Sequence, residues 1–404
     1  MRLLFIMLLL LFMISCSTSD EQKAELVAHD RAKDISNLKQ IRPAEIYNIK
    51  TDSLNFRSKT AVAKLHYFEE NIGEMTSEAA KALTVENIQS DKFFGQNATN
   101  PELYSHTSNG SHMNRYLLIT FDNDIFAETD YYYTNGFSVG LIHPWLDNRL
   151  FYSLMPGLGQ YSTNLFGFRI QQQMFTPYEP EAVAIDPNDR PFSGVLVAEF
   201  FKLSNRSDKM LFLQTSLRMG VIGPASLAGA LQNSLHKLEP TGWENQIAND
   251  FLLNIDLSLQ KAFKIGKSIE MAGNMDAGIG TFKTYWGASL QIRTGNFSSI
   301  NSTISSATIG VLPKFDKTIS YWIFLEPAFH FIAYDATLNG GMLNKTSPHR
   351  FSYNEIHHRT TQLNAGFSVF YRNTGLSLRW TRISPEFIGG DLHNWGNISL
   401  THNF

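Results

Sequence analysis

Side chains that could bind a cation stand at the end of an amphipathic segment. Residues 115–122, RYLLITFD, alternate between two faces and predict a strand. The strand runs into Asp122-Asn123-Asp124, and carboxylate and amide oxygens are ligands of hard cations such as calcium. Asn and Asp are equally common in turns, because their side chains bond to nearby backbone groups. The residues alone therefore leave two interpretations, a cation site and an ordinary turn.

A histidine that could act as a base lies farther along the chain. Residues 224–238, PASLAGALQNSLHKL, predict a short helix with Pro224 near its start. Gln232 and His236 are four positions apart, so they share one helical face. An imidazole can act as a general base near neutral pH. The chain has 12 histidines, so a surface histidine without a catalytic role is the alternative.

The elements that position these residues are predicted to be strands. Beyond Asn114, apolar residues alternate with polar or small ones in segment after segment. A soluble sandwich buries such an apolar face, whereas an outer-membrane barrel turns it to lipid. We predict twelve strands, approximately residues 115–123, 133–143, 163–174, 192–203, 208–220, 249–264, 267–280, 284–294, 320–335, 359–372, 374–384 and 394–404.

The ends of the chain favour the membrane barrel. Residues 3–14, LLFIMLLLLFMI, follow Arg2 and have the length of an export signal, too short to span a bilayer. Cys16, the only cysteine, resembles a lipidation site, with ordinary cleavage nearby as the alternative. Phe404 ends an amphipathic strand and resembles an outer-membrane assembly signal. A soluble periplasmic β-sandwich binding protein remains the alternative.

These features predict three parts of the chain. Residues 1–16 form a signal peptide, and residues 17–112, polar and without a periodic apolar pattern, form a largely flexible periplasmic extension. Residues 113–404 form a twelve-stranded antiparallel transmembrane β-barrel with a short helix in an extracellular loop. Aromatic residues make up 13% of the chain, which suits the girdles of such a barrel. A net charge of -3 gives no electrostatic case for binding nucleic acid.

Strand parity predicts that the chemistry-bearing residues meet. If the first strand runs outward, Asn123 and Asp124 lie at the cell surface and Thr134 starts the return strand at the same level. Arg190 then falls in the second outer loop and His236 in the third. Three separate segments therefore converge on the outer rim.

Three blocks in order carry a resemblance to a known family. They are residues 121–136 (FDNDIFAETDYYYTNG), then 173–177 (QMFTP) with 189–194 (DRPFSG), then 220–226 (GVIGPAS) with 232–236 (QNSLH) and 242–246 (GWENQ). These blocks resemble the lipid A deacylases, outer-membrane barrels that remove an acyl chain from lipid A. The resemblance covers about residues 113–404. It implies a lipid A 3'-O-deacylase in the outer membrane, acting as a monomer on lipopolysaccharide.

The resemblance also implies roles for individual residues. His236 would take a proton from water, and Asn123 with Asp124 would hold a calcium ion, the implied cofactor. Thr134 and Gln232 match further active-site positions, with roles in orienting water or the histidine. Family members also use a glutamate shortly after the histidine, and Glu239 is the candidate for this further metal ligand, although the distance from His236 to Trp243 is shorter than in the family. Arg190, whose guanidinium suits forked phosphate contacts, is the candidate for binding the phosphates of lipid A.

A covalent serine mechanism and zinc hydrolysis are the enzymatic alternatives. The pattern G-x-S-x-G occurs once, at residues 136–140 (GFSVG), but it falls inside the predicted strand 133–143 and not at the strand-to-helix turn that a nucleophile elbow requires. An H-E-x-x-H zinc motif does not occur. The non-enzymatic alternative is a porin-like or structural barrel that keeps the fold without the chemistry.

Overall fold

Twelve antiparallel strands close into a barrel. The computed structural model describes residues 115–124, 131–147, 155–180, 185–235, 241–266, 268–297, 304–306, 310–312 and 319–404. Strand β1 pairs with both β2 and the last strand, which closes the sheet. The barrel strands are β1 Tyr116–Asn123, β2 Tyr132–Ile142, β3 Thr163–Thr176, β4 Ser193–Arg206, β5 Leu211–Ile222, β6 Asp250–Lys264, β7 Ile269–Gly280, β8 Lys283–Asn296, β11 Ser320–Asp335, β12 Arg359–Tyr371, β13 Thr374–Ile383 and β14 His393–Asn403. A hairpin of β9 Ile304–Ser306 and β10 Gly310–Leu312 lies in the connection between β8 and β11.

The helices are short and lie in the connections. The α-helices are α1 Ala228–Leu235 and α2 Ala336–Asn339. The 3-10 turns are Pro144–Leu146, Ser207–Lys209, Pro224–Ser226, Thr241–Asn245 and Tyr353–Glu355.

In the described part of the chain, no helix combines the length and apolar character needed to cross a membrane.

The predicted barrel is confirmed, and so are its strands. Each of the twelve predicted ranges agrees with an observed strand to within three residues at both ends. On β6 the outward side chains are apolar, and Ile255 is 55% exposed, whereas Asn254 and Asp256 face inward and are buried. The alternation seen in the sequence is therefore the alternation between the lipid-facing wall and the lumen. The sequence missed the β9–β10 hairpin, whose three-residue strands are too short to show alternation.

Charged side chains bond to one another inside the barrel. The ion pairs Arg169–Glu199, Arg218–Asp256 and Arg293–Glu270 face the lumen, and the guanidinium Nε of Arg218 donates to Asp256 Oδ2 at 2.8 Å. Pairing of this kind makes the burial of charge tolerable. The lumen keeps a cavity of about 240 Å³ among these polar groups.

The end of the barrel that strand parity predicts to face outward, called the mouth below, is covered from within by its own connections. Helix α2 follows β11 directly, and Asp335 caps it by accepting a hydrogen bond from the Thr337 amide at 2.9 Å. Leu338 of this helix packs with Tyr132, Phe351 and Phe387 in a buried apolar cluster. The start of β2 and the β11–β12 and β13–β14 connections thus share one core across the mouth.

Candidate active site on the outer wall of the barrel

The end of β1 is tied to the start of β2 and the end of β3. The Asn123 side-chain amide donates to the Thr134 carbonyl at 3.1 Å, and the Thr134 and Thr176 hydroxyls lie 2.7 Å apart. All three side chains are buried, as is Asp124. The bond from Asn123 fixes the rotation of its amide, and therefore the direction of the Oδ1 atom. The structure thus brings Asn123, Asp124 and Thr134 together, as the sequence predicts.

These side chains belong to the lipid-facing side of the wall. Asp122 points inward, where it accepts a hydrogen bond from Tyr133 at 2.8 Å, so the next residue, Asn123, points outward. On β3 the outward face includes Ile170, which is 50% exposed, and Thr176 has the same parity. The candidate site therefore opens toward the membrane and not toward the lumen.

The third outer loop folds back onto this same face. Gly194 alternates with inward Val195, so it faces outward, and a Cβ atom there would overlap Ser226 and Ala228. Gln172 of β3 adds a hydrogen bond from its amide to the Ser226 carbonyl at 2.7 Å. Absence of a side chain at position 194 is what lets the loop lie directly on the barrel wall.

An apolar cluster fixes helix α1 above β3 and β4. Met174, Phe192, Ala228 and Trp243 are packed together and buried. The Trp243 indole donates to Gln232 Oε1 at 2.7 Å, which holds the Gln232 side chain in place. Adjacent strands lie about 4.8 Å apart, so β3 is roughly 10 Å from β1. Gln232 therefore stands on the same face of the wall as Asn123 and Thr134, two strands away.

The helix begins later than the sequence predicts. Pro224 opens a 3-10 turn, and α1 starts only at Ala228. Leu227 interrupts the two with a left-handed backbone, φ 62°. The Ser226 hydroxyl donates to the Gly223 carbonyl at 2.7 Å and accepts from the Ala228 amide at 3.4 Å, so it closes the turn and caps the helix. The predicted start of the α-helix at Pro224 was wrong by four residues. A proline is favourable in the first turn of both a 3-10 helix and an α-helix, so it does not distinguish the two.

His236 and Glu239 lie outside the described residues, immediately after α1. Their predicted roles therefore stay predictions. The same holds for the signal peptide, residues 1–16, and the extension, residues 17–112.

The side-chain oxygens of the described candidate ligands are of the chemical type that binds calcium. Asn123 and Asp124 supply an amide and a carboxylate oxygen side by side, the oxygen type that calcium prefers. Among the described residues, no three His, Cys, Asp or Glu side chains cluster as a metal site. Calcium takes about six to eight oxygens, so loop residues, backbone carbonyls or water would have to complete the set.

Arg190 lies on the other side of the wall. Arg190 as a whole is 2% exposed. Its guanidinium donates to Glu386 at 2.6 Å and to the Thr337 hydroxyl at 2.9 Å, and lies 4.5 Å from the ring centre of inward-facing Phe175. Burial raises the pKa of the Glu386 carboxyl, but the Arg190 guanidinium, together with His393 and Lys283, outweighs this effect and holds that pKa below its ordinary value. The structure does not bring Arg190 to the face that carries Asn123 and Thr134. Its role toward phosphate stays a prediction, and its ion pair gives it a structural role in the mouth.

Sequence reasoning missed the partners that hold the candidate residues. Thr176 bonds Thr134, and Glu386 pairs with Arg190 across 196 positions of sequence, so no local pattern marks either contact. Trp243 could have been predicted from the sequence as a partner of a site residue. It stands in the GWENQ block, and a buried indole needs a hydrogen-bond acceptor.

Comparisons with known proteins bear on the whole barrel. The sequence profile of the family described as outer membrane protein LpxR matches residues 93–404. The solved structure of LpxR from Salmonella typhimurium superimposes with a TM-score of 0.58 at 19% identity, covering 72% of this chain and 100% of that one. The β domain of the Bordetella autotransporter BrkA gives a TM-score of 0.38 at 10% identity, covering 72% and 100%. Among curated proteins, none matches this chain. At these identities the structural matches speak to the fold.

Proposed function

Because the chain belongs to the family of outer membrane protein LpxR, we propose that it hydrolyses an ester-linked acyl chain of lipid A. The family places the barrel in the outer membrane. The specific activity proposed is that of a lipid A 3'-O-deacylase, acting at the outer surface of that membrane. The products are a free fatty acid carrying its own acyl branch and lipid A with one hydroxyl exposed.

The observation that carries this proposal is the side of the wall on which the site lies. Asn123, Thr134 and Gln232 all sit on the lipid-facing surface near the outer rim, under or beside α1. A porin conducts solutes through its lumen. An enzyme that acts on a membrane lipid instead needs a site that the lipid can enter laterally from the bilayer. This geometry supports a lipid substrate.

The chemistry divides among the residues as follows. His236 takes a proton from water, whose oxygen attacks the carbonyl carbon of the ester. The bond from that carbon to the sugar oxygen then breaks, and the proton passes from the imidazolium to the departing oxygen. Thr134 and Gln232, held by Thr176 and Trp243, orient the water and the imidazole. Asn123 and Asp124 hold calcium, which when bound supplies stabilisation of negative charge on the carbonyl oxygen.

Mass spectrometry of lipid A treated with the purified barrel tests the proposal. The wild type with calcium is expected to remove the mass of one acyloxyacyl group, and chelation of calcium is expected to abolish the loss. Asp124→Asn tests the metal ligand, because it keeps the shape and removes one charge; we expect a rise in the calcium concentration needed. A folded barrel that leaves lipid A intact at every calcium concentration would refute the proposal. Folding is read from the slower migration of heated barrel in gel electrophoresis.

A further inference from the structure

The cell-surface end of the barrel holds a cavity that the proposed deacylation does not use. Its volume is about 380 Å³, within the range of about 300–1,000 Å³ typical of small-ligand sites. The walls come from four connections, those between β3 and β4, β5 and β6, β11 and β12, and β13 and β14. The side chains that matter most are Tyr178, Asp189, Asn245 and Asp391.

The walls are fixed by hydrogen bonds between connections. Asp189 accepts hydrogen bonds from the amides of Tyr178 and Arg190, each at 2.7 Å. His349 donates from Nε2 to the Asp189 carbonyl at 2.6 Å, which ties the β11–β12 connection to the β3–β4 connection. The Asp391 amide donates to the Tyr132 hydroxyl at 3.2 Å. A cavity with walls held in this way is formed before a ligand arrives, which lowers the entropy cost of binding.

The lining has the chemistry of a sugar site. The Tyr178 ring is half-exposed and supported from behind by Tyr131, with ring centres 4.7 Å apart. Such a flat apolar face suits the C–H face of a pyranose. Asn245 and the carboxylate of Asp391 lie at the cavity walls, where they can bond to hydroxyl groups.

The charge of the lining selects against anions. Four carboxylates contribute to it, those of Glu179, Asp186, Asp189 and Asp391. Among the described lining residues, the one guanidinium is that of Arg190, which already pairs with Glu386. Within the described lining, a phosphate would meet these carboxylates and a guanidinium that is already paired, so an uncharged sugar fits the cavity better.

The cavity shares a wall with the candidate active site. Phe192 lines the cavity and packs against Trp243, with ring centres 5.2 Å apart. The Trp243 indole in turn donates a hydrogen bond to Gln232. A ligand in the cavity would therefore be separated from α1 by little more than two aromatic rings. A lipid bound at the outer wall could extend its attached sugars over this wall into the mouth.

We propose that this cavity binds a neutral pyranose of the saccharide attached to lipid A, the core of lipopolysaccharide. The inference rests on the proposed function for the identity of the lipid. The saccharide then adds affinity and orients the lipid, without touching the reacting ester.

Calorimetric titration tests the site without any reaction. The probe is dephosphorylated core oligosaccharide released from lipopolysaccharide by mild acid, added to the full-length protein in a zwitterionic detergent that lacks a sugar head group. Wild type is expected to bind it, and Tyr178→Ala and Asn245→Ala are each expected to weaken binding at least tenfold, about 1.4 kcal/mol. Tyr353→Ala is the matched control, since Tyr353 is also exposed in an outer connection but does not line the cavity. It is expected to bind like wild type.

A kinetic arm separates this inference from the proposed function. Tyr178→Ala is expected to raise KM for lipopolysaccharide that carries its core, with KM for free lipid A unchanged. Loss of oligosaccharide binding in the two variants, with no deacylation by any protein, would leave the sugar site standing and refute the enzyme. Deacylation by a wild type that shows no heat with the oligosaccharide would refute the sugar site. No heat with the oligosaccharide, together with a calcium chloride signal that Asp391→Asn lowers and Asp124→Asn leaves unchanged, would identify the cavity as a cation site and overturn the inference.

Discussion

At the scale of single residues, the candidate site depends on partners that lie far away in sequence. Thr134 keeps its place through the Thr176 hydroxyl, and Gln232 through the Trp243 indole. The sequence could single out Thr134 and Gln232 because they stand in recognisable blocks. It could not reveal their partners, because pairing between strands and loops depends on how the barrel closes. The candidates were therefore predictable, and the reasons for their positions were not.

Thr134→Val tests the hydroxyl pair. Valine keeps the shape of threonine but leaves the buried Thr176 hydroxyl without this partner, which costs about 1–3 kcal/mol. We expect deacylation to fall at least tenfold, together with a modest loss in the urea midpoint of unfolding. Thr381→Val is the control, because Thr381 is equally buried and donates to Asn364 at 2.9 Å inside the barrel. A control variant that loses as much activity as Thr134→Val would show that stability alone explains the effect.

The Arg190–Glu386 pair predicts a pH dependence of stability. The folded pKa of Glu386 lies below its ordinary value of 4.5, so the pair contributes stability above about pH 4.5. This contribution is lost as the pH falls through the lowered folded pKa, because a protonated Glu386 leaves the buried guanidinium without its counter-charge. Glu386→Gln is expected to lower the midpoint temperature of thermal unfolding at pH 7. The midpoint of this variant is also expected to fall less steeply than that of wild type as the pH is lowered. Asp147→Asn, at an exposed carboxylate between β2 and β3, is expected to keep the wild-type dependence, and an equal flattening in both variants would contradict the assignment.

At the scale of elements, the strands were predictable and the short helices only in part. Alternation fixes a strand because one face must meet lipid and the other the lumen. Helix α2, Ala336–Asn339, has no such signal, although Asp335 and Gly340 at its two ends are cap residues that could have marked it. Its position inside the mouth depends on contacts with Tyr132, Phe351 and Phe387, which no local pattern contains.

Gly194→Ala tests whether α1 must lie on the wall. A methyl group at this outward position would overlap Ser226 and Ala228, so the loop would have to move away from β4. We expect at least a tenfold loss of deacylation, since a displacement of about 1 Å can cost a hundredfold in rate. Gly273→Ala is the matched control on β7, where a Cβ atom meets nothing within 4 Å. Full activity in Gly194→Ala would show that the close approach of α1 to β4 does not matter for the reaction.

At the scale of the whole molecule, the barrel turns its chemistry outward and closes its mouth. The lumen is lined by ion pairs between neighbouring strands, such as Arg218–Asp256, and the outer end is covered by the cluster around Leu338. Sequence alternation could not distinguish this arrangement from a porin, because both have an apolar wall and a polar lumen. What separates them is the inward folding of the connections, which is a property of the assembled barrel.

Electrical recordings test the closed mouth. The purified barrel in a planar lipid bilayer is expected to give no steady unit conductance, because the connections share a packed core across its outer end. A porin reconstituted in the same way provides the positive control. Stable ohmic current steps from the wild type would contradict the closed arrangement and favour the non-catalytic channel.

The most direct measurement of the central claim is the lipid A mass spectrum of cells that produce wild type or His236→Ala, with assembly of both barrels verified in the outer membrane. The account predicts that wild-type cells contain lipid A short by one acyloxyacyl group and that the variant's lipid A is intact. An assembled His236→Ala barrel that deacylates like wild type would contradict the role of the imidazole. Intact lipid A in cells with assembled wild type would contradict the activity itself.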